Sequence, residues 1–355
     1  MTDRNGMKTI YVKMTEEKID IPAILQAGEI LRSGGLVAFP TETVYGLGGD
    51  AFNPESSRKI YAAKGRPSDN PLIVHIYRLE DLEKVALKVP PAGWRLAETF
   101  WPGPLTMILP KKPELPPETT GGLDTVAVRF PSNRIAQALI EAGGGFIAAP
   151  SANRSGRPSP TLARYCREDL DGRVDMIIDG GKVGLGLEST IIDLTEETPV
   201  ILRPGFITWE NLSGLLGDVD AGSLVPGLDD DTAPKAPGMK YRHYAPKGTL
   251  TVVDGTREAV TAYVNDRIRR CRASGIRTGV ICTDETKDRY EADIVRSAGS
   301  RQDREAVAGE LFRILREFDD EGAEEIYAEA FDTSGVGRAV MNRLLKAAGS
   351  RIVHV

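Results

Sequence analysis

Several features are scarce or missing in this sequence, and each absence removes a class of protein. There are three cysteines, Cys166, Cys271 and Cys282, and three histidines in 355 residues. They lie too far apart to suggest a disulfide framework or a Cys/His zinc site, so a reducing cytoplasm is the expected location. No run approaches the roughly 20 apolar residues of a membrane span. The opening "MTDRNGMKTIYVKMTEEKID" holds no apolar stretch of signal-peptide length. A glycine-rich loop ending in Gly-Lys-Ser/Thr is missing, which rules out a P-loop phosphate site. Positive charge is also short. The net charge is −6, and dividing the chain after Lys247 leaves −4 before it and −2 after it. Neither part has the electrostatic footprint of a protein that grips a nucleic-acid backbone, so tight direct nucleic-acid binding is not expected. The densest basic run, "RIRRCR" at 267–272, reads as the solvated face of a helix.

What is present is an alternation of short apolar runs with helical patterns. "LVAFP", "PLIVHI", "LTMILP", "TVAVRF", "GFIAAP", "DMIIDG", "STIIDL" and "VILRPG" read as strands; "ESSRKIYAAK", "GWRLAETFW", "RIAQALIEAG" and "TLARYCREDL" read as helices. Several strands follow one another without a helix, so the sheet should be mixed rather than purely parallel. From 217 to 240 the periodicity gives way to Gly, Pro and Asp, the composition of a linker. Beyond it, "GTLTVVDG", "TGVICTD" and "AEEIYAEAF" alternate with helical patterns at 256–273, 304–319 and 337–348, the order of a smaller doubly wound α/β domain. The expected organisation is a domain at 1–212, a linker at 213–247 and a second domain at 248–355. "AEAFDTSGVGRAV" offers Gly335 and Gly337 after a strand, but Val340 stands where a dinucleotide fingerprint would have its third glycine.

The first domain ends several strands in small polar loops, where α/β proteins place ligands. "AAKGRPSDNPLIVH" sets Lys64 and Arg66 either side of Gly65. One reading is a helix whose last turn carries Lys64 and whose C-terminal cap is Gly65. The other is a grip on an anion. "GFIAAPSANRSGRPSP" breaks at Pro150 into Ser151, Ala152 and Asn153, which could equally be a turn followed by a helix cap at Ser159 or Thr161. Arg129 closes "TVAVR", Arg203 closes "VILR", and Ser189 and Thr190 follow Glu188. Lys64, Arg66, Arg129 and Arg203, with hydroxyls beside them, are what a triphosphate requires.

Lys64-Gly65-Arg66 followed by Ser151-Ala152-Asn153 resembles the KxR…SxN signature of the YrdC family. "FPTETVYGLGGDA" at 39–51 and "WPGPLT" at 101–106 resemble its flanking blocks. The linker ending in "PGMKYRHYAP" and the small domain after it resemble the long, two-domain form. The resemblance implies a YrdC-like twisted mixed sheet plus a Rossmann-like α/β domain. It also implies a nucleotidyltransferase that makes threonylcarbamoyl-AMP and pyrophosphate from ATP, L-threonine and bicarbonate, for the N6-threonylcarbamoyladenosine of tRNA. Its product would pass to a tRNA threonylcarbamoyltransferase. Charge builds on phosphoryl oxygens, so fixed cations and Mg2+ should carry most of the stabilisation. Mg2+ is expected on phosphates and water, with no protein ligand named.

The same resemblance implies the roles. Lys64, Arg66, Ser151 and Asn153 form the catalytic set, and Lys64, Arg66, Ser68, Asn70, Thr125, Ser151, Ser159, Arg203 and Tyr244 hold ATP. Arg129 is the threonine carboxylate clamp, with Thr41, Thr43, His75 and Ser189 completing the amino-acid pocket; a lone histidine is otherwise more often a satisfied core residue. The segment 235–246, with Lys240, Tyr241, Arg242, His243 and Tyr244, is expected to cover the site as a lid or to dock as a tether. The rival readings are a carbamoyladenylate-forming enzyme, an RNA-binding module and a nucleotide-sensing regulator.

Overall fold

The computed structural model describes residues 8–223, 235–236 and 243–355. The chain forms two compact units. The first comprises the described residues of Met1–Ser155, Ser159–Gly184 and Glu188–Lys240; the second those of Gly156–Pro158, Leu185–Leu187 and Tyr241–Val355.

The first unit is built on a ten-stranded sheet: β1 (Ile10–Lys13), β2 (Val37–Phe39), β3 (Gly46–Asp50), β4 (Ile73–His75), β5 (Leu105–Pro110), β6 (Thr125–Arg129), β7 (Ile147–Ala149), β8 (Met176–Asp179), β9 (Thr190–Asp193) and β10 (Val200–Arg203). Their order is β1-β8-β2-β3-β7-β4-β6-β5-β9-β10. Parallel pairs such as β4 with β6 stand beside antiparallel ones such as β5 with β6, so the sheet is mixed as expected. Alternation along the strands sorts side chains to two faces. Leu36, Ala38 and Ile177 pack with Ile60, Leu96 and Cys166 of the helices Pro54–Lys64, Pro91–Phe100 and Ala163–Leu170. Val37, Phe39 and Ile178 pack on the other side with Leu31, Ile135 and Leu139 of the helices Ile21–Arg32 and Arg134–Ala142. Each such Leu or Ile contributes roughly 1.5–3 kcal/mol by leaving water. The last two helices meet at Gly28, where a Cβ would stand 2.5 Å from the Ala142 carbonyl oxygen, so Gly28→Ala would force them apart.

The second unit holds five parallel strands, β11 (Thr249–Asp254), β12 (Thr278–Cys282), β13 (Ile294–Ser297), β14 (Glu325–Glu329) and β15 (Ile352–His354), in the order β13-β12-β14-β11-β15. The helices Arg257–Ala273, Arg304–Glu321 and Val336–Ala347 connect them. Parallel strands alternating with helices are the doubly wound type of domain that the sequence alternation implies. Buried Arg316 donates from Nε and Nη2 to the Pro158 carbonyl at 3.0 and 2.6 Å, fastening the short 156–158 segment into this unit.

Every strand and helix read from the sequence is present. β1, β3, β13, β15, the short helices Leu82–Val85 and Pro117–Thr120, and the helices Ile21–Arg32 and Trp209–Leu216 are additional. The last of these runs across residue 212. Arg269, Arg270 and Arg272 are exposed, as a solvated helix face requires.

Candidate active site

The helix Pro54–Lys64 begins where the Asn53 side chain accepts from the Glu55 amide at 3.0 Å and ends at Gly65 in the left-handed region, φ 63°. That cap does what the sequence suggests, but it does not exhaust Lys64. The lysine is 2% exposed, and its Nζ donates to the carbonyls of Ser151 and of Asn153, the latter at 2.5 Å. The Lys64 carbonyl accepts from the Ser155 amide at 2.9 Å, so the two signature loops are tied through one residue. Ser151 donates its hydroxyl to Asn153 Oδ1 at 2.5 Å, and Asn153 Nδ2 donates to the Arg154 carbonyl at 2.8 Å. Arg66 turns onto its own loop, giving Nη2 to Asn70 Oδ1 at 2.6 Å and to the Pro71 carbonyl at 3.1 Å. Asn70 is buried and Ser68 is exposed. The cap and the cation cluster are therefore one structure.

A second group forms a row across adjacent strands. His75 of β4 stands beside Arg129 of β6, and Arg129 beside Thr106 of β5. Thr106 Oγ1 lies 2.8 Å from Ser189 Oγ. Arg203 joins there, donating from Nε to the Ser189 carbonyl at 3.0 Å and from Nη2 to its hydroxyl at 3.1 Å. Thr41 and Thr43 are buried in the loop after β2, with their hydroxyls 2.9 Å apart and that of Thr41 donating to the Val44 carbonyl at 2.6 Å. Between them Glu42 places Oε1 2.7 Å from Arg129 Nη2. Their side chains are only 14% and 5% exposed, yet both Glu42 oxygens and Arg129 Nε and Nη2 lack an aligned hydrogen bond. Proximity without directed bonds leaves that pair unsaturated.

His75 is buried edge-on to Phe39, with Nδ1 3.1 Å from the Ile73 carbonyl. Burial, and then the Arg129 charge, lower its pKa to about 3. Its imidazole is neutral in ordinary buffers, and Arg129 supplies the positive charge at that point. Ser159 donates to buried Glu188 at 2.5 Å. Thr125 opens β6 while Arg129 closes it, about 13 Å away at the usual strand rise.

Tyr244 belongs to the second unit by its contacts: its ring lies 5.0 Å from that of Phe312. Lys240, Tyr241 and Arg242 lie outside the described residues. Among the described residues no three His, Cys, Asp or Glu side chains converge as a metal cage. Two residues of the site, Glu42 and Thr106, were not picked out from the sequence, although "FPTETVYG" and "WPGPLT" contain them.

A mixed-sheet α/β unit with buried cations beside hydroxyls and amides, followed by a parallel α/β unit, defines a class, and the comparisons narrow it. The Sua5, YciO and YrdC family described as "Telomere recombination" matches residues 29–205, and the threonylcarbamoyl-AMP synthase C-terminal domain matches residues 207–349. Threonylcarbamoyl-AMP synthase of Bacillus subtilis is 47% identical over 98% of this chain and 99% of its own, and that of Pyrococcus abyssi 48% over 98% and 100%. A crystal structure of P. abyssi Sua5 complexed with L-threonine superposes with a TM-score of 0.91 at 47% identity, covering 98% of this chain and 99% of the other. This chain belongs to the threonylcarbamoyl-AMP synthase family, in its two-domain form.

Proposed function

We infer that the first unit joins L-threonine, bicarbonate-derived CO2 and MgATP into threonylcarbamoyl-AMP and pyrophosphate, as a nucleotidyltransferase. The observation that carries the reading is the buried, unsaturated Arg129–Glu42 pair in a chain that aligns end to end with such synthases. A free amino acid brings a carboxylate and an ammonium. Arg129 offers the first a bidentate donor and Glu42 offers the second an acceptor, so a zwitterion can complete the bonds that the pair leaves unmade. Thr41, Thr43, His75 and Ser189 stand around it for the side-chain hydroxyl. The nucleotide falls to Lys64, Arg66, Ser68, Asn70, Thr125, Ser151, Asn153, Ser159 and Arg203 of the same unit.

Chemically, the threonine ammonium gives one proton to bicarbonate, which breaks down to CO2 and water; the freed amine nitrogen bonds the carbon of CO2 and releases its second proton to solvent, giving a carbamate. A carbamate oxygen then bonds the α-phosphorus, the bond to the bridging oxygen breaks, and pyrophosphate leaves with that electron pair. Mg2+ brought in with the ATP would supply positive charge to the leaving group. Lys64 and Arg66, held in fixed geometry by carbonyl and amide oxygens, meet that charge without reorganising. The product, a mixed anhydride, must pass to a tRNA threonylcarbamoyltransferase. The free, buried thiols of Cys166, Cys271 and Cys282 fit a cytoplasmic setting.

The test is pyrophosphate release with MgATP, labelled bicarbonate and each amino acid in turn. Label should enter an AMP adduct with threonine and not with serine. Equal turnover with serine would sink the substrate assignment, and a requirement for carbamoyl phosphate would transfer the reading to a carbamoyladenylate-forming enzyme.

A further inference from the structure

The second unit holds a pocket that this reaction leaves unassigned. β11 and β14 are neighbouring parallel strands, with Val253 beside Glu329. From β11 the chain passes to β12 in one direction across the sheet, and from β14 to β15 in the other. Right-handed crossovers then put the connecting helices on opposite faces. The packing agrees. Val260, Val264 and Ile268 of the helix Arg257–Ala273 cluster with Val253, Val280 and Tyr327. A Cβ on Gly279, one residue along from Val280 and so on the other face, would meet the Phe318 ring of the helix Arg304–Glu321 at 2.8 Å, and that helix packs against Val336–Ala347, the helix that leaves β14. The segments leaving β11 and β14 therefore diverge, opening a crevice at the carboxyl ends of the strands, where open parallel sheets hold ligands.

A cavity of about 310 Å³ occupies that crevice, at the small end of ligand pockets. Its polar lining is Thr256, Arg257, Arg301 and Glu329. Arg301 is held from behind: Nη1 donates to the Ala330 carbonyl at 2.9 Å and Nη2 to buried Glu329, which also accepts from the Thr286 and Tyr290 hydroxyls at 2.5 and 2.7 Å. Arg301 Nε is buried without a hydrogen-bond partner. The exposed side chain of Arg257 makes no hydrogen bond or ion pair among the described residues. It opens a 17-residue helix whose cap, Thr256, accepts from the Ala259 amide at 3.3 Å, which leaves the first-turn amides of Arg257 and Glu258 for another acceptor. A fixed guanidinium, an unengaged one and two helix-end amides around one cavity are an acceptor's site, and a phosphoryl group matches them by charge and by number of oxygens.

We propose that this crevice binds the phosphoryl group of a small phosphorylated molecule between Arg257, Arg301 and the amino end of the helix Arg257–Ala273. It is a site separate from the threonine-activating one, and it does not depend on the reading of that site. The experiment titrates inorganic phosphate, pyrophosphate and AMP, each alone, into the full chain carrying Lys64→Ala and Arg66→Ala together, by calorimetry. Amide exchange over 255–260 is followed by mass spectrometry in that chain and in the otherwise unchanged protein, which serves if the double variant does not fold. One equivalent should bind, exchange over 255–260 should slow, and Arg257→Glu should weaken binding at least about tenfold, the loss of one charge-assisted contact. Equal affinity for the three probes assigns the site to the phosphoryl group alone, and preference for AMP extends it to a nucleotide. No slowing over 255–260 with any probe at millimolar concentration, or undiminished affinity in Arg257→Glu, overturns the proposal. If Lys64→Ala with Arg66→Ala left two equivalents of AMP bound, the nucleotide assignment in the first unit would fail while this one stood.

Discussion

Each unit contains an arginine close to a glutamate, and the two cases differ instructively. In the first unit Arg129 and Glu42 are nearly out of reach of water, 2.7 Å apart and without directed hydrogen bonds. In the second, Arg296 on β13 donates from Nε to Glu317 at 3.0 Å and also reaches Glu321, with all three side chains partly in solvent. A partly solvated, directed pair costs little to form and contributes little. A buried, undirected one carries a desolvation penalty that its own attraction does not repay. Such an arrangement is a poor way to stabilise a fold and a good way to receive a zwitterion. The largest test follows. Arg129→Ala strands a buried carboxylate, so it should cost about 3–5 kcal/mol of stability along with activity. Glu42→Gln keeps the shape and separates the two effects: the KM for threonine should rise about tenfold or more while that for ATP stays put. An unchanged threonine KM in Glu42→Gln would make the pair structural.

Lys64 comes next. The sequence set a helix-cap role against a phosphate role as alternatives, and the structure gives Lys64 a third task, bonding the Ser151 and Asn153 carbonyls. Lys64→Ala should therefore lower stability by about 1–3 kcal/mol through unsatisfied buried carbonyls. It should also cut turnover on the order of 10²-fold if the cation meets developing charge. Wild-type turnover in a folded Lys64→Ala protein would remove the lysine from the nucleotide site.

The boundary between what could and could not be read from the sequence follows the same physics. β2 and β4 to β10 announce themselves by apolar β-branched runs, whereas β3, "GLGGD", has almost no side chains with which to show a period. β1 and β15 are short edge strands, where burial leaves a weak pattern. In the site, the cations are legible in the sequence because a polyanion requires them. Glu42 is not: a carboxylate runs against the charge expected around ATP, and only its burial beside Arg129 marks it. Thr106 looked like an ordinary strand residue until the row from His75 to Ser189 was assembled.

His75 gives a pH-dependent test of that row. Its pKa is held at about 3 by burial and by Arg129, against 6.5 for a free imidazole. Between those values the unfolded chain binds a proton that the folded chain refuses. The contribution of neutral His75 is thus complete above pH 6.5 and is lost as the pH falls through the window, about 2 kcal/mol by pH 5. Denaturant melts of the native protein and of His75→Asn at pH 7.5 and 5 should differ in slope by that amount, the variant being flatter. Parallel slopes would mean that His75 titrates normally and that Arg129 lies farther away in solution.

The smallest expected effect closes the comparison from the side of the second unit. Arg296 and its two glutamates are bonded but wet, with Arg296 about one-third exposed. Arg296→Ala should lower stability by less than about 1 kcal/mol, the range of pairs that solvent screens. Half-molar salt should shrink the difference further, because the Debye length then falls to a few ångströms. Threonine-dependent pyrophosphate release should be unaltered. A loss as large as that of Arg129→Ala, or one indifferent to salt, would mean that the Arg296 cluster is desolvated in solution. Burial would then no longer separate the two arginines, and the inference from an unsaturated pair to a substrate site would lose its footing.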